Sequence, residues 1–120
     1  MGGTEPAVLR ARLEKAAGAS LELAFRPMFG GMMGYVGGRP FASLSDVGLA
    51  FKLSAKDRAA LLEVPGAAPL RYEPNSPPSA QYVTVPEQIL GDDSALADWA
   101  HRSARHVESL PVKARKRRPA

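Results

Sequence analysis

LELAFRPMFGGMMGYVGGRPFASLSDVGLAFKL, residues 21–53, is the stretch that decides the fold, because short apolar runs alternate in it with glycine-rich turns. Leu21, Leu23 and Phe25 recur at every second position, which is the period of a half-buried strand. Pro27 cannot donate a ladder hydrogen bond, so this strand should end there or lie on a sheet edge. Gly37-Gly38 is typical of a two-residue hairpin turn with positive φ at both positions. The stretch therefore predicts an antiparallel meander.

The strands after the first are predicted over residues 33–36, 39–44 and 49–53. Phe41 and Leu44 are expected to point inward from the return strand. Gly30, Gly31 and Gly34 indicate a tight turn or bulge. They do not match a dinucleotide-binding or P-loop motif, and a strand rather than a helix follows them. The neighbouring methionines are typical of core filling, with an adaptable binding surface as the alternative.

Helices are predicted on either side of this meander. Pro6 suits a first helical turn, and the apolar positions 9, 13 and 16 share one face of a helix that ends near Gly18. Ser54 is a helix N-cap, with Asp57 three residues on, and Pro65-Gly66 ends that helix after about Val64. Short strands are expected at residues 70–73 and 81–85. A last helix follows the caps at residues 92–94 and ends before Pro111.

The predicted order is helix, three or four strands, helix, two strands, helix. Strands grouped along the sequence favour an α+β domain with an antiparallel sheet. The 120 residues suit one domain, and the hydrophobic fraction of 45% and charged fraction of 23% are ordinary for a globular chain. Residues 1–110 are expected to form this domain, and residues 111–120 a basic, disordered tail.

Composition excludes several classes of function. The chain has no cysteine, so disulfides, thiolate metal sites and cysteine nucleophiles are absent. No apolar stretch is long enough to cross a bilayer, and the first residues lack the pattern of a signal peptide. We therefore expect a cytoplasmic protein that does not engage a membrane.

The net charge of +4 belongs to the end of the chain. Residues 111–120 contain no acid and five basic residues, and the remaining 110 residues carry 11 basic and 12 acidic groups. A basic run is either a solvated, solubilising end or a set of phosphate contacts with nucleic acid, which would be strongly salt-dependent and independent of sequence. The candidate nucleic-acid contacts are Lys113, Arg115, Lys116, Arg117 and Arg118.

Catalytic patterns are sparse in this sequence. His101 and His106 are five apart on the last helix, whereas a zinc-binding pair is spaced by three or four. Asp92 and Asp93 are explained by helix capping. We expect the serines to lack a nearby histidine, and the sequence has no nucleophile elbow. We predict no catalytic residue, no metal and no cofactor, and hence a protein that is not an enzyme; an enzyme or small-ligand binder would need a pocket with converging polar groups.

The run Arg26-Pro27-Met28-Phe29-Gly30-Gly31 resembles the signature of the TfoX/Sxy family, in its TfoX N-terminal domain. Tyr35, Gly38, Phe41-Ala42 and Phe51-Lys52 continue the resemblance. So do residues 70–73 and 82–87 and a closing helix that contains Trp99. The similarity extends from about residue 9 to residue 107. It implies an α+β domain of order α-β(3)-α-β(2)-α, standing alone here without the C-terminal domain of full-length regulators.

The resemblance also implies a function. Full-length members are regulators of natural competence that act with a cyclic-AMP receptor-type activator at promoters, as coactivators rather than enzymes. It suggests a transcription-related protein partner and, for this chain, a partner surface at Arg26, Met28, Phe29, Gly30 and Gly31. By strand alternation Arg26 should face the polar side, where it either meets a partner or forms a structural ion pair. The alternative function is nucleic-acid binding by the tail on a passive folded carrier. Exposed edge strands are also compatible with a homodimer.

Overall fold

The computed structural model describes residues 5–28, 30–71, 73 and 75–110. Six strands form one antiparallel sheet in the spatial order β1-β2-β3-β4-β6-β5. Four helices accompany the sheet. In chain order the elements are α1 (Pro6–Ala17), β1 (Leu23–Met28), β2 (Gly31–Val36), β3 (Arg39–Ser45), β4 (Gly48–Lys52), α2 (Ala55–Leu62), β5 (Ala68–Pro69), β6 (Tyr82–Thr84), α3 (Glu87–Leu90) and α4 (Asp93–Ser109).

The core lies between the central strands and the two long helices. α1 and α4 contact each other and both contact β3 and β4. α1 buries Leu9 and Leu13, which are one turn apart on the same face of that helix. Phe41 and Phe51 face these helices from neighbouring strands, with ring centroids 5.9 Å apart. Burying these apolar side chains is the main stabilisation of the domain.

A β-bulge interrupts the pairing of β2 with β3. Gly34 lies opposite Ala42 while Tyr35 lies opposite Pro40, so Phe41 has no residue across from it. Phe41 and Ala42 therefore both lie in the core, although they are consecutive in sequence. Gly34 faces them across the strand pair, and a Cβ there would lie in ordinary van der Waals contact with Ala42 and the rings of Phe41 and Phe25, at 3.4–3.5 Å. The bulge also explains how Phe41 and Leu44, three residues apart, both point inward.

Ser103 of α4 contacts the backbone of β3 and β4 next to the bulge. Its hydroxyl oxygen lies 3.0 Å from the carbonyl oxygen of Phe41 and 2.7 Å from that of Lys52. Ser103 is fully buried, and a buried carbonyl without a donor costs about 1–3 kcal/mol. One hydroxyl on the helix thus orients α4 across β3 and β4.

Arg102 joins α2 to α4. Its guanidinium donates to Asp98 at 3.0 Å and to Asp57 at 2.9 Å, and its Cζ lies 4.9 Å from the centroid of the Trp99 ring. The hydrogen bonds from Arg102 to Asp98 and Asp57 raise the pKa of Arg102 above its ordinary value. Asp57 also supplies the backbone N–H that Ser54 caps at 3.2 Å. The carboxylate of Asp57 accepts a hydrogen bond from Arg102, a contact that the capping pattern did not predict.

The structure confirms the α+β class and the antiparallel sheet. The meander has four strands, whereas the family resemblance implied three. The hairpin turn is confirmed, with φ of 58° at Gly37 and 83° at Gly38. β1 continues through Pro27 to Met28, and it is an edge strand as the proline predicted.

One predicted strand was misplaced and one short helix was not predicted. The strand expected at residues 70–73 is instead β5 at residues 68–69, and the backbone N–H of Leu70 makes one further bond to the carbonyl of Tyr82 at 2.9 Å. The short helix α3 was not predicted, because four residues after a proline give no periodicity to detect. The predicted tail at residues 111–120 lies outside the described residues, and its disorder stays a prediction.

Gly31→Ala is expected to destabilise the domain by roughly 2–3 kcal/mol, because overpacking against rigid backbone cannot relax. A Cβ at Gly31 would lie 2.1 Å from the carbonyl oxygen of Leu44 in β3. The matched control is Gly91→Ala, whose Cβ would lie 3.5 Å from its nearest neighbour and should change the free energy of unfolding by less than about 0.5 kcal/mol. Urea denaturation followed by circular dichroism measures both. Equal effects would contradict the steric explanation.

Candidate functional site

The two faces of the sheet differ in what covers them. The core cluster contains buried side chains from all four helices and from one face of the sheet. The side chains of alternate strand positions point to the opposite face. We call this second surface the open face; its members outside the core cluster are Ala24, Arg26, Met28, Met33, Tyr35, Ser43, Ser45, Ala50, Lys52, Tyr82 and Thr84. Ser43, Ser45 and Ala50 are buried, and the others are half-buried or exposed.

An exposed arginine stacks on a tyrosine at one side of the open face. The Cζ of Arg26 lies 5.3 Å from the centroid of the Tyr35 ring, a cation–π geometry. Among the described residues no carboxylate lies within ion-pair distance of Arg26. Its guanidinium is thus held in place by an aromatic ring while its hydrogen-bond donors are left for solvent or for a partner.

A shallow recess lies beside this pair. Its volume is about 330 Å³, and it is lined by Glu22, Ala24, Arg26, Tyr35, Gly37 and Gly38. Glu22 immediately precedes β1 and lies four residues before Arg26, so their Cα atoms lie roughly 13 Å apart along the extended chain. The recess therefore has one acidic end and one basic end.

A second recess lies on the open face where residues 70–79 approach β2 and β6. Its volume is about 320 Å³, and its lining combines apolar and polar side chains from Met33, Leu70, Arg71, Glu73, Ser76, Pro77, Ser79 and Tyr82. The hydroxyl of Tyr82 lies 4.0 Å from the sulfur of Met33. Ser79 holds the segment in place, since its hydroxyl accepts from the N–H of Tyr82 at 3.0 Å and its carbonyl accepts from Arg58 at 3.2 Å.

The structure places the predicted surface residues in different roles. Arg26 is exposed and Met28 is half-buried on the open face. Gly30 has a φ of 85° in the turn, and Gly31 lies against the backbone of β3. Phe29 lies outside the described residues. Of the predicted set, Arg26 and Met28 are the members whose described side chains can meet a partner.

The structure also divides the methionines. Met32 packs against the core, as the core-filling prediction held, whereas Met33 lies on the open face beside Tyr82. Alternation along β2 separates these two neighbours. The position of Tyr35, Met33 and Tyr82 on the open face was not predicted; for Tyr35 and Met33 the signal that could have shown it is that even-numbered positions of β1 and odd-numbered positions of β2 share a face.

The expectation that no serine has a histidine nearby was wrong in three dimensions. The hydroxyl of Ser20 lies 2.7 Å from Nε2 of His101, although the two residues are 81 apart in sequence. Ser20 also lies 3.3 Å from the carbonyl of Ala17, at the C-terminal end of α1. Among the described residues no carboxylate is hydrogen-bonded to His101, so nothing orients the imidazole as it would be oriented in a triad. We interpret the contact as a link between α1 and α4.

The remaining predicted residues give no further site. His106 lies on α4 away from His101, and the described residues hold no group of three histidines or acids that could bind a metal. The tail residues Lys113, Arg115, Lys116, Arg117 and Arg118 lie outside the described residues. Within the part of the chain that the structure describes, no helix is long and apolar enough to cross a bilayer.

The fold and its open face define a two-layer α+β domain with helices packed against one side of an antiparallel sheet. The sequence profile of the TfoX N-terminal domain matches residues 18–107, which is most of the chain, and the chain belongs to this family. No curated protein and no solved structure matches the chain.

Arg26→Ala is expected to change the free energy of unfolding by less than about 0.5 kcal/mol, because Arg26 is exposed and pairs with no described carboxylate. Arg102→Ala should cost about 1–2 kcal/mol, because it leaves the partly buried carboxylate of Asp57 without its cation. Thermal and urea denaturation of the two variants provide the comparison. A loss at Arg26 as large as that at Arg102 would show that Arg26 is a structural residue.

Proposed function

We propose that this chain is a non-enzymatic interaction domain in transcriptional control, of the competence-regulator type, and that it acts in the cytoplasm by binding a transcription-related protein on its open face. Membership of the TfoX N-terminal domain family supports the regulatory part of this proposal. The observation that carries the choice of surface is Arg26, exposed and stacked on Tyr35.

The chemistry of the open face suits protein recognition. Arginine and tyrosine are the side chains that most often dominate the binding energy of protein interfaces, and a stacked arginine loses less side-chain entropy when it binds. Met33 and Tyr82 add partly buried apolar area to the same face. A partner that offers a carboxylate to Arg26 and an apolar side chain to the recess beside Met33 matches these groups.

Arg26→Glu is expected to reduce capture of a transcription protein by about tenfold or more. The reason is that loss of one central interface residue costs at least about 1.4 kcal/mol of binding free energy. Immobilised full-length chain is incubated with nuclease-treated lysate, so that DNA does not bridge proteins, and captured proteins are quantified by mass spectrometry. The matched control is Arg105→Glu, an exposed arginine on α4, on the helix side of the sheet.

The native chain and the Arg105→Glu control should recover the same RNA polymerase subunit or promoter-binding activator. Recovery of no transcription protein by the native chain would refute the proposal. Equal loss in both charge variants would show that the capture depends on net charge rather than on the open face.

Nucleic-acid binding by residues 111–120 is the second candidate. One structural observation favours it: the guanidinium of Arg39 lies 3.4 Å from the carbonyl of Glu108, close to the point where the chain enters the basic run. The folded body thus supplies another arginine beside that run. Contacts of this kind neutralise phosphates without selecting a sequence.

A chain ending at Leu110 is expected to lose affinity for duplex DNA, because it lacks the five basic residues of the tail. Fluorescence anisotropy at roughly 50 and 200 mM salt measures this, and full-length chain should weaken steeply as salt rises. If the truncated chain binds as tightly as the full-length chain, the tail is not the contact. If neither binds at the lower salt concentration, the chain does not bind DNA alone.

A further inference from the structure

β1 is a free edge of the sheet. It is six residues long, whereas β5 at the opposite edge has two. α1 and α4 pack mainly on β3 and β4, and α1 reaches the side chains of β1 through Arg10, which lies over Phe25. A long uncovered edge strand presents backbone groups that can pair with another strand.

The hairpin after β2 shows which groups of β1 point outward. The Gly37-Gly38 turn is closed by Val36 and Arg39, so Val36 bonds to β3. Hydrogen-bonding direction alternates along a strand, so Gly31, Met33 and Tyr35 bond to β1 instead.

The partners of those three residues in β1 are Met28, Arg26 and Ala24, which leaves Leu23, Phe25 and Pro27 directed outward. Pro27 thus has its missing N–H on the free side, where a proline is tolerated in a strand. No hydrogen bond between described residues engages the outward backbone groups of Leu23 or Phe25.

We propose that a second copy of this chain pairs along β1, antiparallel and centred on Phe25, so that the two sheets become one. The two Phe25 residues exchange both backbone hydrogen bonds. The N–H of each Leu23 donates to the carbonyl of Pro27 in the other copy. The ladder is therefore completed at every position except the carbonyl of Leu23, which faces the proline that lacks an N–H and stays in contact with water.

Charge complementarity favours a second copy of this chain as the strand that pairs with β1. In this register Ala24 lies opposite Arg26 of the other copy, so the small side chain leaves room for the guanidinium. Arg26 of the first copy is one diagonal neighbour of that Arg26, so one Arg–Arg contact crosses the axis. Glu22 is the other diagonal neighbour, at about 7–8 Å between Cα atoms, within reach of a Glu–Arg pair. The twofold axis forms this pair twice, and each copy thereby supplies a carboxylate to the recess that contains the other copy's Arg26.

The helix side of the same edge is compatible with this pairing. Phe25 and Leu23 are half-buried and pack against the core cluster, and the second copy would bury them further. Arg10 lies over the Phe25 ring at 4.7 Å and is already paired with Glu14 at 3.2 Å. The axis therefore brings together two apolar rings and no unpaired cation from α1.

This inference shares Arg26 with the proposed function, because the other copy's Glu22 and a partner's carboxylate would meet the same guanidinium. Paired copies would present two open faces side by side.

Exchanging the charges of Glu22 and Arg26 tests the proposed register of the two β1 strands. Sedimentation equilibrium of the full chain between about 10 μM and 1 mM should show a concentration-dependent species of twice the 12.8 kDa chain mass, since small interfaces bind weakly. Glu22→Arg and Arg26→Glu should each weaken dimerisation by about tenfold, because each turns two attractive pairs into two repulsive ones. The double variant Glu22→Arg/Arg26→Glu should restore it.

Each alternative result overturns the proposal. A chain that stays monomeric throughout this range does not self-associate, and a dimer that the single variants do not weaken uses another surface. A double variant that stays monomeric excludes the Glu22–Arg26 pair. The double variant also separates the two proposals, since it restores the dimer while leaving the open face with glutamate at position 26 and hence without partner capture.

Amide hydrogen exchange gives a readout that does not depend on substitutions. Raising the concentration of the native chain should slow exchange of the Leu23 and Phe25 N–H groups, which the dimer engages. Exchange of the Gly37 and Gly38 amides in the hairpin turn should not change. Equal, concentration-independent exchange at Leu23 and Phe25 would refute pairing along β1.

Discussion

The extra residue in β3 is the constraint on which the rest of the sheet depends. Because Phe41 has no partner on β2, Phe41 and Ala42 both lie in the core, and the inward face of β3 changes from one set of alternate positions to the other. The Ser103 hydroxyl lies beside this irregularity, within hydrogen-bond distance of the carbonyls of Phe41 and Lys52. The packing of α4, the aromatic pair of Phe41 and Phe51, and the separation of the two faces all follow from this bulge.

That separation of faces leaves the surface that we propose as the binding site of a partner. The helices cover one side of the sheet, and Arg26, Tyr35, Met33 and Tyr82 lie on the other. The same strand that presents Arg26 also forms the free edge. A single element, β1, thus contributes one side chain to the open face and its outward backbone groups to the edge.

Local chemistry accounts for most of what could be predicted. Ser54 and Asp92 cap their helices as their residue types indicate, since each oxygen accepts from a backbone N–H two or three residues on. Gly37-Gly38 forms its turn for the same local reason. Asp98 and Arg102 pair at the spacing of one helical turn. By contrast, β5 exists because Ala68 and Pro69 reach β6, a pairing that nothing in residues 68–73 encodes.

The sequence by itself determined the α+β class, the antiparallel meander, the edge position of β1 and the family to which the chain belongs, because alternation, turn glycines and one proline act over a few residues. Only the tertiary structure decided that Ser20 meets His101 and that Asp57 binds Arg102. It also decided that Met32 packs against the core while Met33 lies on the open face. Each of these depends on how separate elements pack across 45 or more residues, or on which side of a sheet the helices cover. Local sequence patterns do not specify which side chains meet, because that depends on burial against elements that are distant in sequence.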